Sequence, residues 1–450
     1  MFKNEGECKF LNIPFLFSMV FIEQKSRFYL IKVQDMTKKR VVITGLGAIS
    51  PFGVGVDKLW NSLVEGKSGI SLTTSIDSEK HPVKISGEVK DFNPDDYMDP
   101  KEAKKMDRFT QFALVAADEA IKDAKLENTN IDPYRIGVIV SSAAGGFRTF
   151  EKNHIAVLER GPSKCSPFTI PMMIVDMPSG KISMKYGFKG VNKAVVSACA
   201  SSNHSIGDSF RSIQYGDADI MVAGGCEATI CDVGVGAFTS ARTLSRRNDE
   251  PEKASRPYDK DRDGFVMAEG AGVLVLEEYE HAKARGAKIY AEIVGYGQTA
   301  DAYDIVAPDP EGKGATMSMQ LALKDANMES KDVQYINAHG TSTGLGDIAE
   351  SHAIARVFGD LDTNKNLLVS STKSMHGHML GATGSVEGIA CIKAITEGIV
   401  PPTINLDNQD EHVANLNYVP HKAKKAEINV ALTNSFGFGG HNASLIFKKI

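Results

Sequence analysis

Short runs of β-branched and aliphatic residues recur along the chain at strand length: RVVIT from Arg40, IGVIV from Ile136, KAVVS from Lys193, DIMVAGG from Asp219 and GVLVLEEY from Gly272. Runs this apolar on both faces predict strands covered on both sides. Helical patterns lie between them, as at Asp107 to Ala124 and His204 to Gln214. The alternation predicts helices laid over a central, largely parallel sheet. The second half repeats the rhythm, with KIYAEIVGYG from Lys288, VQYINAHG from Val333, LLVSSTK from Leu367, EINVALTNSFG from Glu427 and ASLIFKK from Ala443.

Two correspondences mark the halves as duplicates. VVSACASS from Val195 and YINAHGTS from Tyr335 each set a reactive side chain at a strand end, ahead of small and hydroxyl residues that start a helix. DGFVMAEGAGVLVLEE from Asp263 and FGFGGHNASLIF from Phe436 each run from a Gly-Phe turn into a closing strand. The expected organisation is a first half over 38–289 and a second over 290–450, meeting near Tyr290 with the active site between them. Residues 1–37 read as an extension outside the fold. Their apolar run from Phe10 to Ile22, broken by Asn12, Pro14 and Ser18, is too short to span a bilayer and fits neither a signal nor a transit peptide. An upstream-extended reading frame with its natural start at Met36 accounts for it, a weak membrane-tethering helix being the alternative.

With 450 residues, 42% hydrophobic and 24% charged, the chain has the composition of a large globular protein. A formal net charge of -5 gives no global attraction to nucleic acid or to an anionic membrane, so an acidic partner must be met by a local basic patch. The six cysteines (Cys8, Cys165, Cys199, Cys226, Cys231, Cys391) include no CxxC pair and no partner histidines at finger spacing. That disfavours disulfides and zinc and fits a reducing cytosol, with Cys226 and Cys231 as small buried side chains. ITGLGAISPFG from Ile43 imitates a dinucleotide-binding turn, but Ser50 replaces the third glycine and Pro51 follows it, so it reads as a structural turn.

The candidate chemistry lies in three places. Cys199, in SACASSNHSIG, sits where a strand turns into a helix whose N-terminus favours a thiolate nucleophile, although a buried cysteine is otherwise inert. His339, in NAHGTSTGLGD, holds the matching position in the second half, and SSTKSMHGHMLGATGSVE adds Lys373, His376, His378 and Glu387. These are either a reactive constellation or polar loops with a capping histidine. Finally NSFGFGGHNAS from Asn434 is a glycine-rich turn whose N–H groups, Phe438 above all, could hold an oxyanion, or whose glycines serve only a hairpin.

Taken together, RVVITGLGAISPFG, GDADIMVAGG, SRPYDKDRDGFV, NAHGTSTGLGD, SSTKSMHGHMLGATGSVE, PPTINLDN and NSFGFGGHNASLIFKKI occur in an order that resembles the β-ketoacyl-acyl carrier protein synthases, most closely those of type II. The resemblance covers Lys38 to Ile450. It implies a thiolase-like duplicated five-layer αβαβα fold, a cytoplasmic homodimer, and decarboxylative condensation of a malonyl unit with an acyl chain held on Cys199. Substrates would arrive on the phosphopantetheine of acyl carrier protein, with no separate cofactor, metal, nucleic acid or membrane. The resemblance gives His339 and His378 the enolate, Lys373 their electrostatic support, Glu387 a supporting role, and Phe438 both an oxyanion N–H and a gate. It gives Thr341 and Thr343 the pantetheine arm and sets Ala144, Phe436, Gly437 and Gly439 along the substrate path. KEAKK, with Lys101, Lys104 and Lys105, joins Lys164, Arg246 and Arg247 as a docking patch for the acidic carrier. Ala144 stands where a bulkier aliphatic gate is usual, and His376 and His441 where threonine is expected, so chain length stays open. A second cysteine in place of His378 would mark a thiolase, and loss of Cys199 a non-catalytic partner subunit; neither holds here.

Overall fold

The computed structural model describes residues 19–24, 27–32, 38–127 and 130–450. The chain divides into two compact units, Met1–Lys38 and Lys39–Ile450. In the first, strands Met19–Gln24 and Arg27–Lys32 pair antiparallel, with Met19 opposite Lys32. Most of the Phe10 to Ile22 run, and Met36, lie outside the described residues.

In the second unit the elements used below are, in chain order, β1 (Val41–Ser50), α1 (Arg108–Asp123), β2 (Ile136–Ser141), α2 (Ser201–Gln214), β3 (Ile220–Glu227), β4 (Gly270–Glu278), β5 (Ala291–Ala300), α3 (Lys313–Ala326), β6 (Tyr335–Asn337), α4 (Gly344–Phe358), β7 (Leu368–Ser370), α5 (Thr383–Glu397), β8 (Val430–Gly437) and β9 (His441–Lys448). The strands pair in the order β7-β6-β8-β9-β5-β1-β4-β3-β2, with Gly53–Val54 added on β1. Residues Ala291–Ile293 of β5 join the two halves by pairing with Ile43–Val41 of β1. Helices α2 and α5 pack between strands of both halves, α1 covers β1, β3 and β4, and α3 covers β5 and β9. These are the five layers expected. α5 is buried on all sides from Thr383 to Ile392, as a helix in a middle layer must be.

The duplication is visible in a shared device. β1 shifts register between Ile43 and Gly45, and β5 between Ile293 and Gly295. In each strand a glycine then lets a helix lie against bare backbone: a Cβ on Gly47 would run into the Ala116 carbonyl of α1, and one on Gly297 into the Ser318 carbonyl of α3.

Two expectations need correction. The sheet is mixed rather than largely parallel: β2/β3, β6/β7 and β6/β8 are parallel, whereas β4 and β9 return antiparallel beside their neighbours. β9 does so because only the Phe438 to Gly440 turn separates it from β8. The KAVVS segment from Lys193 is extended but forms no ladder. Its first residue still reaches β2, Lys193 N donating to Val138 O (3.4 Å); beyond it, serine hydroxyls take over, Ser179 accepting from Val140 N (2.8 Å) and donating to Lys193 O (2.9 Å) and Ser141 accepting from Val195 N (2.8 Å).

Candidate active site

Cys199 is presented by a tight turn, Ala198–Ala200, that leads into α2. Ala198 has φ 50, a conformation unfavourable for a residue with a Cβ and typical of positions that aim a functional side chain. The Ser201 hydroxyl braces the turn by accepting from Ser197 N (2.9 Å) and donating to Ala198 O (2.7 Å). The end of β8 closes over it. A Cβ on Gly437 would lie 2.6 Å from the Ser197 carbonyl oxygen and 3.1 Å from Cys199 N, so only glycine lets this backbone approach. The N–H groups of Phe438 and of Cys199 itself both act on the sulfur. Two backbone donors thus lie near the sulfur, as an oxyanion on an acyl group bonded to it would require.

The thiol departs from the sequence expectation. Burial pushes it up to about 12, against the positive charge of Lys373 and the two N–H groups, and Glu227 adds to the rise. A side chain only 9% exposed loses more by desolvation than the helix start and its neighbours return. The resting thiol is therefore protonated.

The histidines are built from opposite directions. β6 ends at Asn337, and His339 follows in a loop held by Glu350 of α4, which accepts from His339 N and Gly340 N, each at 2.7 Å. The His378 backbone is pinned by its N–H donating to Val266 O (2.7 Å) and its carbonyl accepting from Ala268 N (2.9 Å). Its Nδ1 lies 3.0 Å from Thr383 Oγ1. The rings meet edge to face with centroids 5.4 Å apart, His378 backed by Phe265 and His339 by Phe436. Burial first, then the positive charge of Lys373, holds both well below the usual imidazole range, so both are neutral. With Thr383 as the donor in that bond, a neutral His378 carries its proton on Nε2, where it faces the cavity as a donor. Beneath them Lys373 is fully buried, its Nζ 2.5 Å from Glu387 Oε1.

Cys199, His339, His378, Thr341, Thr343 and Phe438 all line one cavity of about 340 Å³, with Phe436 and Gly437 in its wall. The Thr341 and Thr343 hydroxyls are 3.0 Å apart. Lys373 and Glu387 lie behind the lining, and Ala144 and Gly439 fall outside it. His376 is buried and committed to the Gly377 carbonyl and Thr372. Of the basic residues, Lys101, Lys104, Lys164 and Arg246 are exposed; Lys105 is paired with Glu102 and Arg247 with Glu250. Among the described residues no group of acids, histidines and cysteines could hold a metal ion. Glu350 was missed in the sequence; its signal is helical phase, since it follows Asp347 by three residues and Asp347 also holds loop N–H groups, those of Ser342 and Thr343.

Burial pushes the Glu350 carboxyl up to about 7, against the Gly340 and His339 N–H groups and the charge of Lys373, with Asp347 adding to the rise. The folded value exceeds the unfolded one, so this group's contribution to stability is lost as pH rises through about 7. Activity is expected to run the other way, because only the carboxylate can accept both N–H groups that fix His339. The rate of the histidine-dependent step should fall as pH drops through about 7, and Glu350→Gln should remove that limb from the pH–rate profile. A limb that survives in the variant would assign it to another group.

The chain matches the family models described as "Beta-ketoacyl synthase, N-terminal domain" over residues 38–282 and "Beta-ketoacyl synthase, C-terminal domain" over residues 290–407. It is 51% identical over 415 residues to the 3-oxoacyl-[acyl-carrier-protein] synthase 2 of Synechocystis sp., covering 92% of this chain and 99% of that one. A β-ketoacyl synthase from Burkholderia phymatum has a similar structure, with TM-score 0.85 and 35% identity over 92% of this chain and all of that one. So does a ketosynthase solved in complex with its type II polyketide acyl-carrier protein, with TM-score 0.84 and 34% identity over the same shares.

Proposed function

The chain belongs to the β-ketoacyl synthase family, and from that premise we propose how its residues carry out the family's condensation. It is a 3-oxoacyl-acyl carrier protein synthase of type II, an acyltransferase of fatty-acid elongation. The observation that carries the residue-level reading is a buried cysteine and two neutral histidines opening on one cavity, with two N–H groups converging on the sulfur. In the first stage Cys199 Sγ attacks the acyl thioester and the N–H groups of Cys199 and Phe438 hold the oxyanion. The carbon–sulfur bond to the carrier's pantetheine breaks, and the departing thiol takes the proton that Cys199 gives up. In the second, Thr341 and Thr343 guide the malonyl arm, and His339 and His378 donate to the malonyl thioester oxygen. The bond to the carboxyl group breaks, carbon dioxide leaves and the enolate forms. Its carbon attacks the acyl–Cys199 carbonyl, releasing the 3-oxoacyl product and a thiolate that takes up a proton. The carbanion comes from decarboxylation, so the chemistry calls for no separate cofactor.

The halves 38–289 and 290–450 then divide the work, the nucleophile in one and the histidines in the other. The partner is an acyl carrier protein, as in the solved ketosynthase complex. Exposed Lys101, Lys104, Lys164 and Arg246 support the docking patch, with Lys105 and Arg247 at its edge. Phe438, Phe436, Gly437 and Gly439 shape the entry and Ala144 the acyl side. Reversing Lys104 and Lys105 to Glu should raise KM severalfold for carrier-bound substrate and leave a small thioester unchanged; equal losses with both would remove the patch from the mechanism. The exposed Phe150, Ile155, Leu158, Ile170 and Val196 favour a second copy of the chain as cover, which sedimentation at twice the chain mass would support and at the chain mass would refute. No helix among the described residues is long and apolar enough to cross a membrane, and we place the enzyme in the cytoplasm, where fractionation would find it.

The test is intact-mass analysis after incubation with medium- and long-chain acyl carrier proteins. An acyl increment mapped to Cys199 should appear and be discharged by malonyl carrier protein as 3-oxoacyl product. No increment with any acyl carrier would overturn this reading.

A further inference from the structure

Glu227 ends β3 fully buried, with no Lys, Arg or His ion pair to it among the described residues. Five neutral donors surround it. Its Oε1 accepts from Ser142 Oγ (2.7 Å) and Thr229 Oγ1 (3.0 Å), with Ala144 N more distant at 3.4 Å. Its Oε2 accepts from Ala143 N (2.9 Å) and Gly381 N (3.1 Å). Stability alone gives no reason to keep a buried carboxylate without a counter-charge, since its desolvation is costly and neutral donors offset it only in part.

Its donors come from two segments that flank the reaction. Ala143 borders the apolar cluster that contains both Cys199 and Leu380. Gly381 lies on the arc from His378 to Thr383, whose two ends meet through Nδ1 and Oγ1 at 3.0 Å. That arc is tight: Leu380 has φ 47, and a Cβ on Gly381 would fall 2.5 Å from Ala143 N and 2.9 Å from the Glu227 carboxylate. We propose that Glu227 is a positioning residue that fastens the Ser142–Ala144 loop to the His378–Thr383 arc, so that the acyl group on Cys199 and the imidazole of His378 keep a fixed separation during condensation. This rests on the function proposed above. The carboxylate also faces Cys199 electrostatically, opposing the thiolate that Lys373 and the Phe438 and Cys199 N–H groups favour, with His339 and His378 neutral nearby.

Glu227→Gln keeps the shape and one acceptor oxygen but loses the charge, and Glu227→Ala removes the clamp. Each is compared with the parent for condensation kcat, KM for malonyl carrier protein, thermal melting and the pH dependence of Cys199 alkylation. Losses of about 10-fold for Gln and 100-fold for Ala in kcat are expected, the range for outer partners of catalytic groups, with KM within about threefold. The alkylation curve of the Gln variant should move to lower pH, which a merely structural residue would not cause. A folded Gln variant with kcat within about threefold of the parent and an unmoved curve would overturn the proposal, even if the Ala variant fails to fold. A parent that does not condense would instead refute the proposed function and leave no condensation for Glu227 to position.

Discussion

Cys199→Ala is expected to abolish 3-oxoacyl product and the acyl increment while leaving decarboxylation of malonyl carrier protein at no less than about a tenth of the parent rate. The two outcomes separate because they use different atoms. Removing Sγ removes the only bond by which the first substrate is held, and loss of a nucleophile lowers turnover by about 10⁴-fold or more. The enolate site is untouched: His339 is fixed through Glu350, His378 through Val266, Ala268 and Thr383, and neither contact includes Cys199. The variant should melt no lower than the parent, because a strained turn and a desolvated thiol serve chemistry rather than stability. Acyl increment persisting on the variant would move the nucleophile elsewhere, with half-buried Cys165 the first place to map. Decarboxylation lost together with condensation would mean that the sulfur helps bind the malonyl group, and the two-stage assignment would fall.

Much of this site was legible because its parts are announced by local chemistry. Cys199 and His339 each follow a β-branched run and precede small residues, and the glycines around Phe438 mark a close backbone approach. What could not be read is what depends on distant packing. The thiol of Cys199 was expected to be acidified by its helix; the direction reversed because layers from both halves bury it, which no local pattern reports. Glu227 and Glu350 look like ordinary acids at the ends of a strand and on a helix, and only folding brings Gly381 and Gly340 to them. Strand direction failed for a related reason: alternation of runs gives strands and helices, but the antiparallel return of β9 depends on the φ of Gly439 and Gly440, both left-handed. The KAVVS run from Lys193 had a strand's composition, and beyond its first residue the hydroxyls of Ser179 and Ser141 took the place of its ladder.

Lys373→Met should give the largest combined loss. The Lys373–Glu387 pair is sealed from solvent on both sides, and Glu387 Oε2 has no other partner. Removing the cation strands a carboxyl group that burial already pushes up and that Lys373 alone pulls back, and breaking such a pair lowers stability by about 3–5 kcal/mol. Its charge adds to burial in keeping His339 and His378 neutral and favours the Cys199 thiolate, so both half-reactions should slow by about 100-fold, as on loss of one preorganised electrostatic group. The double variant Lys373→Met, Glu387→Leu distinguishes the two effects. Replacing both charges by apolar groups of similar size should restore most of the melting temperature, because a buried pair contributes little net stability over a packed hydrophobic one. It should restore none of the decarboxylation rate, since the buried positive charge that supports the histidine site and the developing negative charge of the enolate is gone. If activity returns with stability, Lys373 is a packing element and the electrostatic account of this site is wrong. If stability returns alone, the lysine is kept in a fully buried setting for its charge, at a cost to the fold that serves the histidine site.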